Sequence, residues 1–306
     1  MSRIVVSGLV NVETTLNIGQ FPVPYSPIEY RFFGLKSNVA GVAYNVAKAL
    51  VTLENNVELL SMVGTDGEGK VVLEGMKNAG ISDTYILPKL SETPTSLILF
   101  DDEGKRKIYC DLKDIQESNY PMENADEVLN ECDLVVACNC NFNRPLLKLA
   151  KEKGKTIATD VHVLSDLNDD YNKDFIQYAD LVFLSDEIIV SENKNPWDFL
   201  REMYRMYAPN IIVLGRGSKG VLMYLGEKDE FVELSAVKTG EVVNTVGAGD
   251  ALFSAFVHFY AKGIEAAECL KRAQVFASLK IAYNGASLGF ASEEEIERWY
   301  EEIYRV

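Results

Sequence analysis

The 306-residue chain contains no run of about 18 apolar residues, so nothing in it reads as a membrane-spanning helix. Basic residues are scarce, 30 Lys plus Arg against 46 Asp plus Glu, which leaves a formal net charge of −16. A surface of that sign repels polyphosphate backbones and anionic lipid, and no local basic patch compensates. Nucleic acid and membrane are therefore not expected as partners, and a small-molecule ligand is. Cysteine is sparse and odd in number: Cys110, Cys132, Cys138, Cys140 and Cys269. A chain of this length does not depend on disulfides, so these read as buried thiols in a reducing compartment. Cys138 and Cys140 lack the second pair or nearby His of a zinc site. From Met1 through the short apolar run Ile4 to Val6 to Gly8 no basic leader with a long apolar segment occurs, and a cytoplasmic location is expected. No G-x-x-x-x-G-K-[ST] is present, which excludes a Walker-type phosphate loop.

What is present is an ordinary globular balance, 47% hydrophobic and 25% charged, in which short apolar runs alternate with segments of helical period. The runs Ile4–Ser7, Val57–Val63, Leu134–Ala137, Thr156–Thr159, Leu181–Leu184 and Ile211–Leu214 read as buried strands. Between them helices are expected at Val39–Leu50, Gly69–Asn78, Arg144–Lys153, Pro196–Tyr207, Asp250–Ala261, Glu265–Ala282 and Glu293–Tyr304. Ser292 would cap the last of these ahead of an acidic first turn. The pattern predicts an α/β fold, a doubly wound and largely parallel sheet sandwiched by helices.

Two segments break the rhythm. Asn11 to Phe33 carries Pro22, Pro24 and Pro27 among aromatic residues and cannot be one long helix. Thr95–Phe100 and Arg106–Asp111, joined by the polar turn Asp101-Asp102-Glu103-Gly104-Lys105, read as a hairpin. The two are expected to pair into a small β-sheet: either a lid over a site at the carboxyl ends of the main strands, or surface decoration and a dimer contact. The expected division places residues 1–11, 37–83 and 113–306 in the core and 12–36 and 84–112 in the lid.

Gly215-Arg216-Gly217-Ser218-Lys219-Gly220 satisfies G-x-G-x-x-G after a predicted strand, yet no helix begins inside it. Val221–Leu225 and Phe231–Leu234 read as further strands, so the glycines are expected to form a strand-to-strand turn whose amides can still approach a phosphate. The sharper feature is Asn244-Thr245-Val246-Gly247-Ala248-Gly249-Asp250 ahead of the apolar helix Ala251 to Tyr260. Three small residues let several backbone N–H groups converge at a helix start, where roughly half a positive charge favours an anion. Asp250 then lies in the first turn beside that point. It either complements the helix dipole or faces a hydroxyl approaching the phosphate.

With these residues in view, the chain resembles the PfkB, or ribokinase-like, carbohydrate kinases, whose signature D-T-x-G-A-G-D is matched at six of seven positions, the free one included. Gly8 and Asn11 in GLVNVE resemble the family's opening strand. Ala40 to Ala47 resembles its G-G-x-x-x-N-x-A segment, and Val63 to Gly69 its V-G-x-D-x-x-G turn. The hairpin Pro94–Arg106 and the Gly217–Gly220 turn follow in family order. The resemblance implies transfer of the γ-phosphoryl group of ATP, with Mg²⁺, to a primary hydroxyl of a sugar or nucleoside beneath a β-sheet lid. Asp250 would be the base and the Gly247, Ala248 and Gly249 amides the anion hole. Asn11, Glu13 and Asn45 would hold substrate hydroxyls, with Gly41 allowing close approach of the backbone. Asn244, Thr245, Gly217 and Gly220 would line the nucleotide side, and Glu187 would act on Mg²⁺ through water. Lid-to-lid homodimers are implied as well.

The departures from the pattern shape the remaining expectations. Asn244 replaces the signature's first Asp, which in the family lies near a monovalent cation and the triphosphate, so activation by K⁺ is the expectation most weakened. Glu13 stands where an Asp usually contacts the sugar, and Val42 where ribokinases proper carry Lys, so the acceptor is left open. A phosphosugar kinase would gather basic residues such as Lys36 or Arg106 at the substrate phosphate. A non-catalytic nucleotide or sugar sensor is the rival from another class. His258, in an apolar helix, and His162, after a strand, are expected to be non-catalytic. The helix dipole is expected to hold Asp250 in its charged, weakly basic form.

Overall fold

The structure, a computed structural model, describes residues 2–103 and 105–305. Met1 and Val306, at the bounds of the expected core, and Gly104, in the expected hairpin turn, lie outside the described residues. The strands are β1 (Arg3–Ser7), β2 (Asn11–Gly19), β3 (Leu35–Ala40), β4 (Asn56–Val63), β5 (Ile86–Pro88), β6 (Thr95–Asp101) and β7 (Arg106–Asp111). They continue with β8 (Leu134–Ala137), β9 (Thr156–Val163), β10 (Leu181–Ser185), β11 (Ile211–Gly215), β12 (Val221–Leu225) and β13 (Glu230–Leu234). The helices are α1 (Val42–Thr52), α2 (Gly67–Asn78), α3 (Met122–Glu131), α4 (Arg144–Glu152) and α5 (Lys173–Tyr178). After these come α6 (Glu187–Ser191), α7 (Pro196–Tyr207), α8 (Ala248–Ala261), α9 (Ala266–Lys280) and α10 (Glu293–Tyr304).

Nine strands form one sheet in the order β13-β12-β11-β10-β9-β8-β1-β4-β5, parallel from β11 to β5 and antiparallel from β11 through β13. The central strands are apolar on both faces because both faces are covered, as expected of parallel sheets. Along β1, Ile4 and Val6 point into one core with α1, α2, α8, α9 and α10, while Val5 points into a second with α3, α4 and α7. Each fully buried aliphatic or aromatic side chain contributes roughly 1.5–3 kcal/mol. Helix α8 is buried nearly all round, with Phe253 and Phe256 packed 4.8 and 5.2 Å from the Phe183 ring of β10. A helix clasped on every side fixes the position of its N-terminus.

The remaining strands form a second sheet in the order β3-β2-β6-β7, with β2 parallel to β6 and the other pairs antiparallel. The hairpin is β6 and β7, and the proline-rich segment supplies β2, a connection, and β3. Here one expectation is corrected. The helix expected from Val39 starts at Val42, because Val39 and Ala40 pair with Val12 and Asn11 in β3, and Gly41 then turns the chain at φ 98°. β5, within the stretch expected to belong to the lid, instead extends the large sheet beside β4. Gly217 to Gly220 makes the expected strand-to-strand turn between β11 and β12. Cys132, Cys138, Cys140 and Cys269 are buried free thiols, whereas Cys110 is exposed. No helix among the described residues is long and apolar enough to cross a membrane.

Candidate active site

Strand β1 has β4 on one side and β8 on the other, so successive crossovers leave in opposite directions and open a crevice at the carboxyl ends of these strands. Asn11 stands four residues beyond Ser7, the last residue of β1, and Asp160 lies on β9. The N-terminus of α8 reaches the same place. Asp250, in its first turn, accepts a hydrogen bond at 2.7 Å from Asn45 Nδ2 of α1, and the charges of Asp160 and His162 act on it. Thus residues 205 positions apart meet in this crevice.

Burial pushes the Asp250 carboxyl above the ordinary aspartate range, and the Asp160 charge adds to this. The Asn45 bond, the neighbouring His162 ring and the Lys280 ammonium pull the other way without cancelling it. The expectation of a carboxyl held low by the helix dipole is thereby corrected: desolvation, not the dipole, dominates. Glu13, half-buried on β2, is likewise raised by burial and by the Asp250 charge, against Lys280 and Arg106. Asn11 donates from Nδ2 to Ser96 Oγ of β6 at 3.1 Å, linking the strands of the small sheet at the cleft. The carbonyl oxygens Oδ1 of Asn11 and Asn45 are buried and have no partner among the described residues.

The loop ahead of α8 is shaped by its small residues. Gly247 caps the helix at φ 78°, and a Cβ there would meet the Ala286 carbonyl oxygen at 2.4 Å. A Cβ on Gly249 would meet nothing within 4 Å, so this residue borders open space. The Ala248 N–H bonds the Thr245 carbonyl at 3.2 Å, whereas those of Gly247, Gly249 and Asp250 have no partner among the described residues. Asn244 accepts from the Val246 N–H at 2.8 Å and donates to Asn284 at 2.7 Å, which fixes the turn without supplying charge. Thr245 is exposed beside it.

The other expected residues are dispersed around this centre. Gly41 caps α1, and a Cβ there would strike the Leu9 carbonyl oxygen at 2.4 Å, so the fold itself requires glycine. Gly220 is equally constrained, its Cβ position being 2.0 Å from the Leu234 carbonyl, while Gly217 is exposed and open. Glu187 is exposed at the start of α6, where β10 and β11 end side by side at Ser185 and Gly215. No cluster of three His, Cys, Asp or Glu that could cage a metal exists among the described residues. A single exposed carboxylate fits a water-bridged role toward a Mg²⁺ ion that takes most of its ligands from phosphate. His258 is buried at Glu293 and Asn55, tying α8 to α10. Ser96, Asp160 and Lys280 were not singled out by sequence reading, and nothing in their local sequence marks them.

A carboxyl set beside open amides at the head of a buried helix, over the crevice of a doubly wound sheet, is the equipment of a phosphotransferase with an alcohol acceptor. The chain belongs to the pfkB family of carbohydrate kinases, whose model matches residues 1–293. The nucleoside kinase of Methanocaldococcus jannaschii is 24% identical over 273 residues, covering 88% of this chain and 87% of that protein. A ribokinase of Dictyostelium discoideum is 23% identical over 323 residues, covering 96% and 99%. The Arabidopsis thaliana ribokinase solved with ribose and ATP shares the fold at a TM-score of 0.82 and 17% identity, over 98% and 99% of the two chains. The protein is a sugar or nucleoside kinase of this family.

Proposed function

We propose that the protein transfers the γ-phosphoryl group of ATP to a primary hydroxyl of a sugar or nucleoside held between the two sheets. The small sheet, built from β2, β3, β6 and β7, serves as a lid, and the remainder, β5 included, forms the core. The observation that carries this reading is the Asn45–Asp250 bond together with two buried carbonyl oxygens, Asn11 Oδ1 and Asn45 Oδ1, that have no partner among the described residues. A buried acceptor without a partner costs about 1–3 kcal/mol, and a polyol is the ligand that supplies O–H donors to both.

In this reading Asn11, Glu13 and Asn45 orient the acceptor, with Gly41 at its edge, and Asp250 receives the proton of the attacking hydroxyl. The new bond joins that oxygen to the γ-phosphorus as the bond to the β,γ-bridging oxygen breaks, releasing ADP. The N–H groups of Gly247 and Gly249 stabilise the charge on the migrating group, and that of Ala248 joins them only by giving up its bond to the Thr245 carbonyl. Asn244, Thr245, Gly217 and Gly220 line the nucleotide side. Mg²⁺, when bound, neutralises phosphate charge, and Glu187 would hold one of its waters. Because the transition state is loose, alignment of the hydroxyl counts for more than the strength of the base.

A phosphosugar acceptor is supported by a specific feature, the Arg106 guanidinium, which acts on both Glu13 and Lys280. Lys36 stands on β3 opposite Thr15, two ladder positions from Glu13. The exposed side chains of Tyr25, Tyr30, Phe32, Phe33 and Leu35 around the small sheet support a homodimer formed through the lid. The test is ADP release with ATP and Mg²⁺ against pentoses, hexoses, nucleosides and their phosphates. Turnover confined to phosphorylated acceptors selects the second reading. Silence across the panel with a sugar or nucleoside still bound identifies a sensor.

A further inference from the structure

Lys280, the last residue of α9, is fully buried, with 0% relative exposure. Its ammonium donates to the carbonyl oxygen of Val246, the residue immediately before Gly247-Ala248-Gly249. The charges facing it are the carboxyls of Asp250 and Glu13, which favour its protonated form, and the Arg106 guanidinium, which opposes it. Among the described residues none of these forms a direct ion pair with it, and two of its three N–H bonds find no partner. A buried ammonium in this condition is expensive unless an anion completes it. Four residues further along the chain, the neutral Asn284 engages Asn244, so among the described residues Lys280 is the cation that bonds the loop.

We propose that Lys280 is a built-in monovalent cation for the phosphate-transfer loop. The tethered ammonium holds the Val246 carbonyl away from the cleft, keeps the neighbouring N–H groups aimed at the phosphoryl group, and adds positive charge behind them. It is a positioning residue, since it reaches the reacting atoms only through the loop. A free K⁺ ion then has no charge left to supply, and the enzyme works equally in sodium and potassium. The inference rests on the phosphoryl-transfer reading of this site. Burial lowers the ammonium toward a pKa of about 8, so it is still largely charged at neutral pH.

The test uses the full chain with Lys280→Ala, which leaves room for an ion, and Lys280→Gln, which keeps a shorter N–H donor without the charge. Pyrophosphate binding by calorimetry probes the loop without turnover, and phosphotransfer is followed with the best acceptor of the panel. The wild type is expected to bind and turn over alike in Na⁺ and K⁺. Both variants are expected to lose about tenfold or more in pyrophosphate affinity and in kcat, with acceptor KM little changed. Added K⁺ or NH₄⁺ should restore part of the loss in Lys280→Ala, a response that a purely structural strut would not give. Stimulation of the wild type by K⁺, or wild-type behaviour of Lys280→Gln in sodium, overturns the inference. If the variants do not fold, the wild-type comparison in the two salts still decides. Pyrophosphate binding as described with no phosphotransfer by the wild type counts against the kinase reading and leaves the Lys280 assignment standing.

Discussion

Asp66 grips Thr93 through both carboxylate oxygens: Oδ2 accepts from the Thr93 N–H at 2.8 Å and Oδ1 from its hydroxyl at 2.6 Å. Oδ1 also accepts from the Gly69 N–H at 2.9 Å, capping α2. The V-G-x-D-x-x-G turn is thus a strut between a core helix and the segment entering β6, and through β6 it supports the small sheet. Burial alone would raise the carboxyl, but the bonds from Thr93 and Gly69 outweigh it and hold it below its ordinary value. Asp66→Ala should lower stability by about 1–2 kcal/mol, read as a shift in the urea midpoint. Because the folded-state pKa is depressed, this difference is fully present above the unfolded-state value near about 3.9 and shrinks as pH falls below it. An unchanged midpoint at neutral pH would show that the strut carries no load.

Asp250→Asn separates chemistry from stability. Turnover should fall by about 10² or more with ATP affinity retained, because the amide cannot take the hydroxyl proton. The carboxyl is disfavoured by its burial, so the neutral amide should leave the thermal midpoint equal or higher. Wild-type turnover in this variant would dismiss Asp250 as the base, and a lower midpoint would dismiss the account of its environment.

The parallel core was legible because strands buried on both faces are written as uninterrupted apolar runs, as in β1, β8, β10 and β11. The signature from Asn244 to Asp250 was legible because only small residues fit beside Ala286 and the cleft. Three kinds of feature escaped. Short elements such as α5 and α6, at six and five residues, are below the length at which a helical period shows. Lys280 escaped because a Lys at a helix C-terminus ordinarily complements the dipole in water. Only the tertiary fold reveals that this one is buried against Val246. Val39 and Ala40 were drawn into the following helix by their apolar character, and the β3 pairing that claims them is set by β2, some 27 residues earlier in register.

The pH profile of kcat/KM should be bell-shaped. The acid limb belongs to carboxyls raised by burial, Asp250 and Glu13, and should lie above the ordinary aspartate value of about 3.9. The alkaline limb belongs to Lys280, which loses its proton as pH rises through about 8. In Lys280→Gln the alkaline limb should disappear and the acid limb remain. A wild-type rate that stays level through pH 8 and beyond would detach Lys280 from turnover.

Gly247 and Gly249 are separated by a single residue, yet alanine should act on them in opposite senses. At Gly247 the positive φ and the Ala286 carbonyl 2.4 Å from the Cβ position make alanine strained whatever the ligand, so Gly247→Ala should lower both stability and activity. Gly249 is helical, exposed and faces open space, so alanine costs no contact in the free protein. By helix propensity it should stabilise by roughly 0.5–1 kcal/mol. If that open space receives the phosphoryl group, the added methyl lies where the anion must approach, and turnover should fall while the thermal midpoint rises. Measuring both quantities on both variants decides the point. A Gly249→Ala enzyme with the higher midpoint and undiminished turnover would mean that the phosphate passes elsewhere.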